Sequence, residues 1–211
     1  MTGSKQVSLE VIKRLSSYLR DLKTLENNGV TVVSSGSLAE LLGISSVQFR
    51  KDLSYFGPFG KKGVGYNVCT LTAKLTELLG AGDCMGFALA GAGKLGSAII
   101  QYSSLQRFNI KIMAAFDSDR RKIGKKIDGL VVADAKDMET TVRTMGLKIG
   151  VICVPAKAAQ QVAERMASAG IIAVLNFAPT EIKILKKVHV SNVDICVEIE
   201  ALSYFVRQSA T

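Results

Sequence analysis

The sequence predicts an α/β protein in two parts, a short helical domain followed by a parallel-sheet domain. Three observations carry that expectation. From residue 84 onward, apolar runs of strand length alternate with helical patterns, as strands and crossover helices do. The first of those runs, Phe87-Ala-Leu-Ala90, leads straight into Gly91-x-Gly93-x-x-Gly96 and then a stretch with Leu95, Ala98, Ile99 and Tyr102 at helical spacing. Ahead of residue 80 the pattern differs, with short helical periodicities broken by glycine and then a glycine-rich, lysine-bearing segment over 57–66.

In the N-terminal part, Ser8 is placed to cap a first helix. Val11, Ile12, Leu15, Leu19, Leu22 and Leu25 recur there at three- and four-residue steps, and Gly29 stops it. Arg14 and Arg20 fall off that stripe. A β-branched run over 30–33 precedes a short helix with Leu38, Leu41 and Leu42, broken by Gly43. Ser45-Ser-Val-Gln48 then gives a capping-box pattern for a third helix. Two short helices joined by a tight glycine-containing turn form a helix-turn-helix. Phe49, Leu53 and Phe56 take the inner face of the third helix, leaving Ser46, Gln48, Arg50, Lys51, Ser54 and Tyr55 for solvent or DNA. Glutamine reads adenine edges, arginine and lysine read guanine, and serine and tyrosine meet phosphates. Lys61 and Lys62 sit in a β-turn followed by Tyr66, which makes a basic wing; with Arg14 these complete the expected DNA-facing set. Residues 1–66 hold nine Lys+Arg against five acids, a balance of +4 within a chain of net charge +9. That excess suits a polyanionic partner.

Leu71, Leu75, Leu78 and Leu79 follow on a linker helix that Thr70 can cap, and residues 80–82 mark a boundary. Domains are expected at 1–80 (DNA-binding, with the linker helix), 84–197 (Rossmann-type) and 198–211 (C-terminal helix). Strands are expected over 86–90, 111–116, 130–133, 149–154, 171–177 and 193–197, with a helix over 156–169. In the glycine motif, the first glycine permits a tight turn and the second lets a pyrophosphate reach the backbone. The third lets helix and strand pack closely, and the helix N-terminus faces the phosphates. Gly91, Ala92, Gly93, Lys94, Leu95 and Gly96 are therefore the expected pyrophosphate cradle. Asp117 ends the next strand 21 residues past Gly96, where an acid that binds the adenosine ribose belongs. Val154, Pro155, Phe177, Ala178 and Pro179 follow two later strand ends and are expected to wall the nicotinamide, with Asn176 also expected to bind the cofactor. The tail carries Ile199, Leu202, Phe205 and Val206 on one side, a candidate dimerisation helix.

With 48% hydrophobic and 21% charged residues, a packed core is expected and disorder is not. No apolar run reaches a membrane span, and the N-terminus lacks the apolar stretch of a signal peptide, so a cytoplasmic protein is expected. Cys69, Cys84, Cys153 and Cys196 show neither CxxC nor metal-ligand spacing, so no metal is expected. Three of them lie in apolar contexts and read as buried free thiols.

Across both halves, the sequence resembles the Rex family of redox-sensing transcriptional repressors. RLSSYLRDL, RKDLSYFG, KKGVGYNV, GAGKLGSA, VPAKAAQQVA, LNFAP and NVDICVEIEALSYF carry the resemblance, in order, from about Leu9 to Val206. It implies a homodimer of winged-helix and Rossmann domains with swapped C-terminal helices. It also implies binding to palindromic double-stranded operator DNA when NAD⁺ dominates and release when NADH rises. By the same resemblance, Arg20, Tyr102 and a partner subunit's Asp194 form a latch, the aspartate pairing with the arginine in one state and the tyrosine in the other. Lys94 departs from a commonly neutral asparagine. Arg120 and Arg121 stand where an adenosine 2′-phosphate would be met, while Asp117 favours NAD.

The rival reading is an NAD-dependent dehydrogenase, which needs a proton donor or acceptor at the nicotinamide. The single histidine, His189, lies in a lysine-rich stretch, and no YxxxK pattern stands out. No catalytic residue is expected. A nucleotide- or CoA-binding interaction module would leave the basic N-terminal third unexplained.

Overall fold

The computed structural model describes residues 7–60, 64–184 and 188–209. Lys61 and Lys62, the expected wing cations, lie outside the described residues. The chain divides into two compact units, Met1–Asp83 and Cys84–Thr211.

The first unit opens with α1 (Leu9–Asn27), which buries Val11, Leu15, Tyr18, Leu19 and Leu22. Ser8 stands at its N-cap, though its hydroxyl makes no capping bond. After β1 (Val32–Val33) come α2 (Ser35–Leu41) and α3 (Ser46–Ser54). Ser34 and Ser45 cap them, accepting from the Ser37 and Gln48 amides at 3.0 and 3.1 Å. β2 (Tyr66–Asn67) pairs antiparallel with β1 and runs into α4 (Val68–Leu78). The cap of α4 is Asn67, not Thr70: its Oδ1 accepts from the Thr70 amide at 2.9 Å, and strand pairing already holds Asn67 extended. Leu15, Leu22, Leu38, Phe49, Leu53, Leu71 and Leu75 meet in one core, so α1, α2, α3 and α4 share a single apolar interior.

The second unit runs through β3 (Met85–Ala90), α5 (Lys94–Ile100), α6 (Ser104–Arg107), β4 (Ile110–Asp117), β5 (Lys126–Ile127) and β6 (Leu130–Asp134). A 3₁₀ turn, α7 (Met138–Thr144), β7 (Ile149–Ile152), α8 (Ala156–Ala169), β8 (Ala173–Asn176), β9 (His189–Asn192) and α9 (Ile195–Ser209) follow. The seven-stranded sheet has the order β5-β6-β4-β3-β7-β8-β9, parallel throughout except at β5–β6. Phe116, Met138, Val142, Ile152, Met166 and Ile171 fill one face, and Phe87, Leu89, Ile100, Ala115 and Val151 the other.

Three expectations are corrected here. The last strand is His189–Asn192, and 195–197 are helical, because the Asp194 carboxylate accepts from the Cys196 and Val197 amides and starts α9 there. On α5 it is Gly96 and Ile100 that are buried, whereas Leu95, Ala98 and Tyr102 face outward. The cysteines are not buried thiols: Cys69, Cys84 and Cys196 are exposed and Cys153 is half-buried. Cys69 lies on the outer side of α4, Cys84 before the sheet begins, and Cys196 on a helix whose apolar side is exposed among the described residues.

Candidate functional sites

In the first unit, α3 is held to α1 by one carboxylate. Asp52 is fully buried and accepts four hydrogen bonds: Arg14 Nε at 2.7 Å and Nη2 at 2.8 Å, Tyr18 Oη at 2.7 Å, and Gln48 Nε2 at 2.7 Å. Burial works against its charge, but the three donor side chains hold the carboxyl below the usual range. The same acid raises the Arg14 guanidinium and, with burial as the largest cause, pushes the Tyr18 phenol up. Arg14 and Gln48, expected at DNA, therefore both turn polar atoms onto Asp52. Gln48 does not close the capping box; its side chain reaches forward along α3. Val47, Arg50, Lys51 and Ser54 of α3 are exposed, as is Tyr55 at its C-cap, with Ser46 half-exposed at its start. Arg50 donates to Ser35 Oγ at 2.8 Å and so reaches back to α2. Tyr66 packs edge-on against Phe49 with ring centroids 5.4 Å apart.

In the second unit, a cleft of about 580 Å³ opens at the C-terminal ends of β3, β4 and β7. This is the topological switch point, because β4 and β7 flank β3 on opposite sides. Gly91, Gly93, Phe116, Asp117, Cys153, Val154 and Pro155 line it. The glycines differ in what they do. Gly91 has φ +97°, and a Cβ there would lie 2.5 Å from the Cys153 carbonyl oxygen; one on Gly96 would lie 1.9 Å from the Gly91 carbonyl oxygen. Gly93 is the N-cap of α5 at φ −78°, and a Cβ there meets nothing within 4 Å. The first and third glycines are thus required by the fold, while the second faces open space at a helix N-terminus, where an anion is stabilised. Asp117 binds that turn directly: its Oδ2 accepts from the Ala92 amide at 2.9 Å and from Lys122 Nζ at 2.9 Å, and its Oδ1 accepts from the Asp119 amide at 2.8 Å.

Lys122, Asp119, Ala158, Gln161 and Arg165 also line the cleft and were not singled out from sequence. Lys122 was legible only through its five-residue distance from Asp117; the α8 residues needed the fold. Arg165 is tied to Glu139 and to the Ala135 carbonyl, and its hydrogen bonds hold the Glu139 carboxyl low. Arg121 forks onto Asp119, with an Nη2–Oδ2 distance of 2.9 Å, and holds that carboxyl near a pKa of about 2. The Arg121 side chain is 88% exposed, and neither Arg120 nor Arg121 lines the cleft. Lys94 and Leu95 are exposed at the start of α5. Burial pushes the Cys153 thiol up to about 11, so it stays protonated at neutral pH.

Asn176, expected to touch a cofactor, instead has its side chain turned inward and fully buried. Its Nδ2 shares two hydrogens among the Thr180 carbonyl, Asn192 Oδ1 and, at longer range, the Ala178 carbonyl, and its Oδ1 accepts from the Ala178 amide. Phe177 packs with Cys153 and Val151 beside the end of β7, and Ala178 is buried. Arg20 and Tyr102 are exposed, and Asp194 caps α9. Among the described residues no group of acids, cysteines and histidine is placed to hold a metal, and no helix is long and apolar enough to cross a membrane.

A helix-turn-helix unit joined to a dinucleotide-type α/β unit defines a ligand-responsive, DNA-binding regulator. Comparison with known proteins agrees. The model "Putative DNA-binding protein N-terminus" matches residues 6–54, and "CoA binding domain" matches residues 86–180. The chain is 44% identical over 193 residues to the redox-sensing transcriptional repressor Rex of Desulforamulus reducens, covering 92% of each chain. It is 44% identical over 202 residues to Rex 1 of Thermotoga maritima, covering 95% of this chain and 96% of that one. The crystal structure of RSP, a repressor of the Rex family, in complex with β-NAD⁺ and operator DNA matches with a TM-score of 0.90 and 36% identity, covering 98% and 95% of the two chains. RSP in complex with β-NADH matches at 0.85 and 34%, covering 98% and 97%. The chain belongs to the Rex family of redox-sensing transcriptional repressors.

Proposed function

We propose that this chain is a cytoplasmic repressor that binds palindromic operator DNA while NAD⁺ dominates and leaves it when NADH binds, without turning over either nucleotide. The observation that carries the reading is Asp117 bonded to the glycine turn at the switch point, in a chain that also presents α3. Asp117 takes the adenosine ribose, the open space at Gly93 takes the pyrophosphate, and Cys153, Val154 and Pro155 lead toward the Phe177–Pro179 loop, where the nicotinamide sits. That loop and the β7 end are apolar, so they desolvate the charged oxidised ring at greater cost than the neutral reduced one. The difference is what switches the protein, since equal affinity for both forms shifts no equilibrium. Ser46, Arg50, Lys51 and Tyr55 meet the DNA at α3 and its C-cap, with Tyr66 and, outside the described residues, Lys61 and Lys62.

The protein works as a homodimer. Ile195, Ile199, Leu202, Phe205 and Val206 of α9 are all more than half exposed within one chain, a surface that a second copy covers by exchanging this helix. Arg20, Tyr102 and the partner's aspartate at position 194 then form the latch between domains. A gel shift on a palindromic duplex, titrated separately with NAD⁺ and NADH at fixed salt, tests the function. Release by NADH alone is the expected result; identical behaviour with both nucleotides overturns it. The dehydrogenase reading has little support, because His189 is exposed at the start of β9, away from the cleft lining. Turnover of alcohols, aldehydes or hydroxy acids at a useful rate would restore it.

A further inference from the structure

Asn176 spends every polar atom of its side chain, which is unusual for a residue beside an expected cofactor wall. Its amide nitrogen reaches the Ala178 carbonyl at 3.2 Å and the Thr180 carbonyl at 2.8 Å, and its oxygen accepts from the Ala178 amide at 3.0 Å. These bonds fix the shape of the turn that carries Phe177 and Pro179. The same nitrogen reaches Asn192 Oδ1 at 2.9 Å, and the Asn176 backbone carbonyl accepts from the Val193 amide at 2.8 Å. Asn176 and Asn192 are the last paired residues of β8 and β9. Two residues beyond Asn192, Asp194 sets the start of α9 through the Cys196 and Val197 amides.

One buried side chain therefore joins the nicotinamide-side turn to the segment that aims Asp194. We infer that the Asn176–Asn192 hydrogen bond is the link that carries cofactor state to Asp194, with both asparagines acting as positioning residues. The inference rests on the NADH-release reading above. A buried amide with all its partners made has one good arrangement; if the turn at 177–180 shifts, either the amide follows it or a bond breaks in a dry site, which costs free energy. Following it pulls on Asn192 and changes where Asp194 points. The Asn176 side chain has its polar atoms committed within the protein, so its effect is expected in coupling more than in nucleotide affinity.

Asn192 allows a clean test, because it is exposed and its replacement leaves no buried group of its own unsatisfied. Asn192→Ala removes the acceptor; Asn192→Asp keeps an oxygen in its place. Two quantities are measured on the full chain: NADH affinity by titration calorimetry without DNA, and the NADH concentration that releases half of a palindromic duplex selected on the wild-type protein. Asn192→Ala is expected to raise the half-release concentration about fivefold or more, the lower range of allosteric couplings, while NADH affinity holds within about twofold. Asn192→Asp is expected to release near the wild-type concentration. Release of Asn192→Ala at the wild-type concentration overturns the inference. So does a parallel loss of affinity and release, which would make the bond part of the pocket wall only. If the wild-type duplex is not released by NADH at all, the functional reading fails first.

Discussion

Two glycines of one motif are expected to fail in opposite ways. At Gly93 the backbone is extended, with φ −78°, and an added Cβ meets nothing within 4 Å. Alanine is a poorer N-cap than glycine, by about 1 kcal/mol or less, and narrows the unfolded chain by a comparable ~0.4–1 kcal/mol. The two terms oppose, so Gly93→Ala should melt within a few degrees of wild type. Its methyl group, however, occupies the open space where a pyrophosphate would reach the α5 N-terminus. Losing charge-assisted backbone bonds there weakens NADH by about 1.5–3 kcal/mol, roughly 10- to 150-fold. At Gly96 the added Cβ would lie 1.9 Å from the Gly91 carbonyl oxygen, so α5 must move off β3 before any ligand is considered. Overpacking of that kind costs about 1–3 kcal/mol or more, and Gly96→Ala should lose several degrees of melting temperature along with its binding. The assay is a thermal melt and an NADH titration on each variant. Wild-type NADH affinity in Gly93→Ala would refute the placement of the pyrophosphate, and a wild-type melt for Gly96→Ala would refute the packing argument.

Four further outcomes follow. Asp52→Ala leaves Tyr18 Oη buried without its acceptor and Arg14 without its acid; breaking such a pair costs about 3–5 kcal/mol, nearer the lower figure here because the Arg14 side chain is 34% exposed, and urea unfolding should show it. Because the Asp52 carboxyl is lowered in the folded protein, its contribution is complete above the unfolded value of about 3.9 and is lost as pH falls through the lower folded value; an acid titration of the wild type should unfold this unit later in pH than it unfolds Asp52→Asn. Asp117→Asn has one oxygen for the two amides of Ala92 and Asp119 and offers the ribose hydroxyls a weaker acceptor, so NADH affinity should fall by about 1–3 kcal/mol and the melt should fall with it; unchanged affinity by calorimetry would remove Asp117 from the ribose. Phe205→Glu places a charge on the uncovered side of α9, where Phe205 is 63% exposed, and sedimentation should then report a monomer; a persistent dimer would show that α9 is not its interface.

Much of this was legible in the residues. Leu15, Leu22, Phe49 and Leu71 announce their burial by spacing, and the glycine motif with Asp117 marks the cleft because its backbone geometry permits few substitutes. What escaped depends on contacts that periodicity does not encode. Arg14 lies off the apolar stripe, yet it is drawn inward by Asp52, 38 residues away. The run 193–197 alternates like a strand, but the Asp194 side chain competes for its amides and turns it into a helix. Asn176 looked like a cofactor ligand from its place after β8; only its four partners show that it serves the turn instead. Gln161 and Arg165 reach the cleft from α8, which only the crossover topology brings beside it.

The uncovered apolar side of α9 has a consequence for the quantity of protein as well as its shape. A helix whose outward residues include Ile195, Ile199, Leu202 and Phe205 is stabilised by what covers it, and if the cover is a second chain, mass action sets how often it is present. Dilution then removes dimers and their two-site grip on DNA together. Where most copies are single chains, halving the stock leaves about a quarter of the dimers, so an operator far from saturation loses more than half of its occupancy.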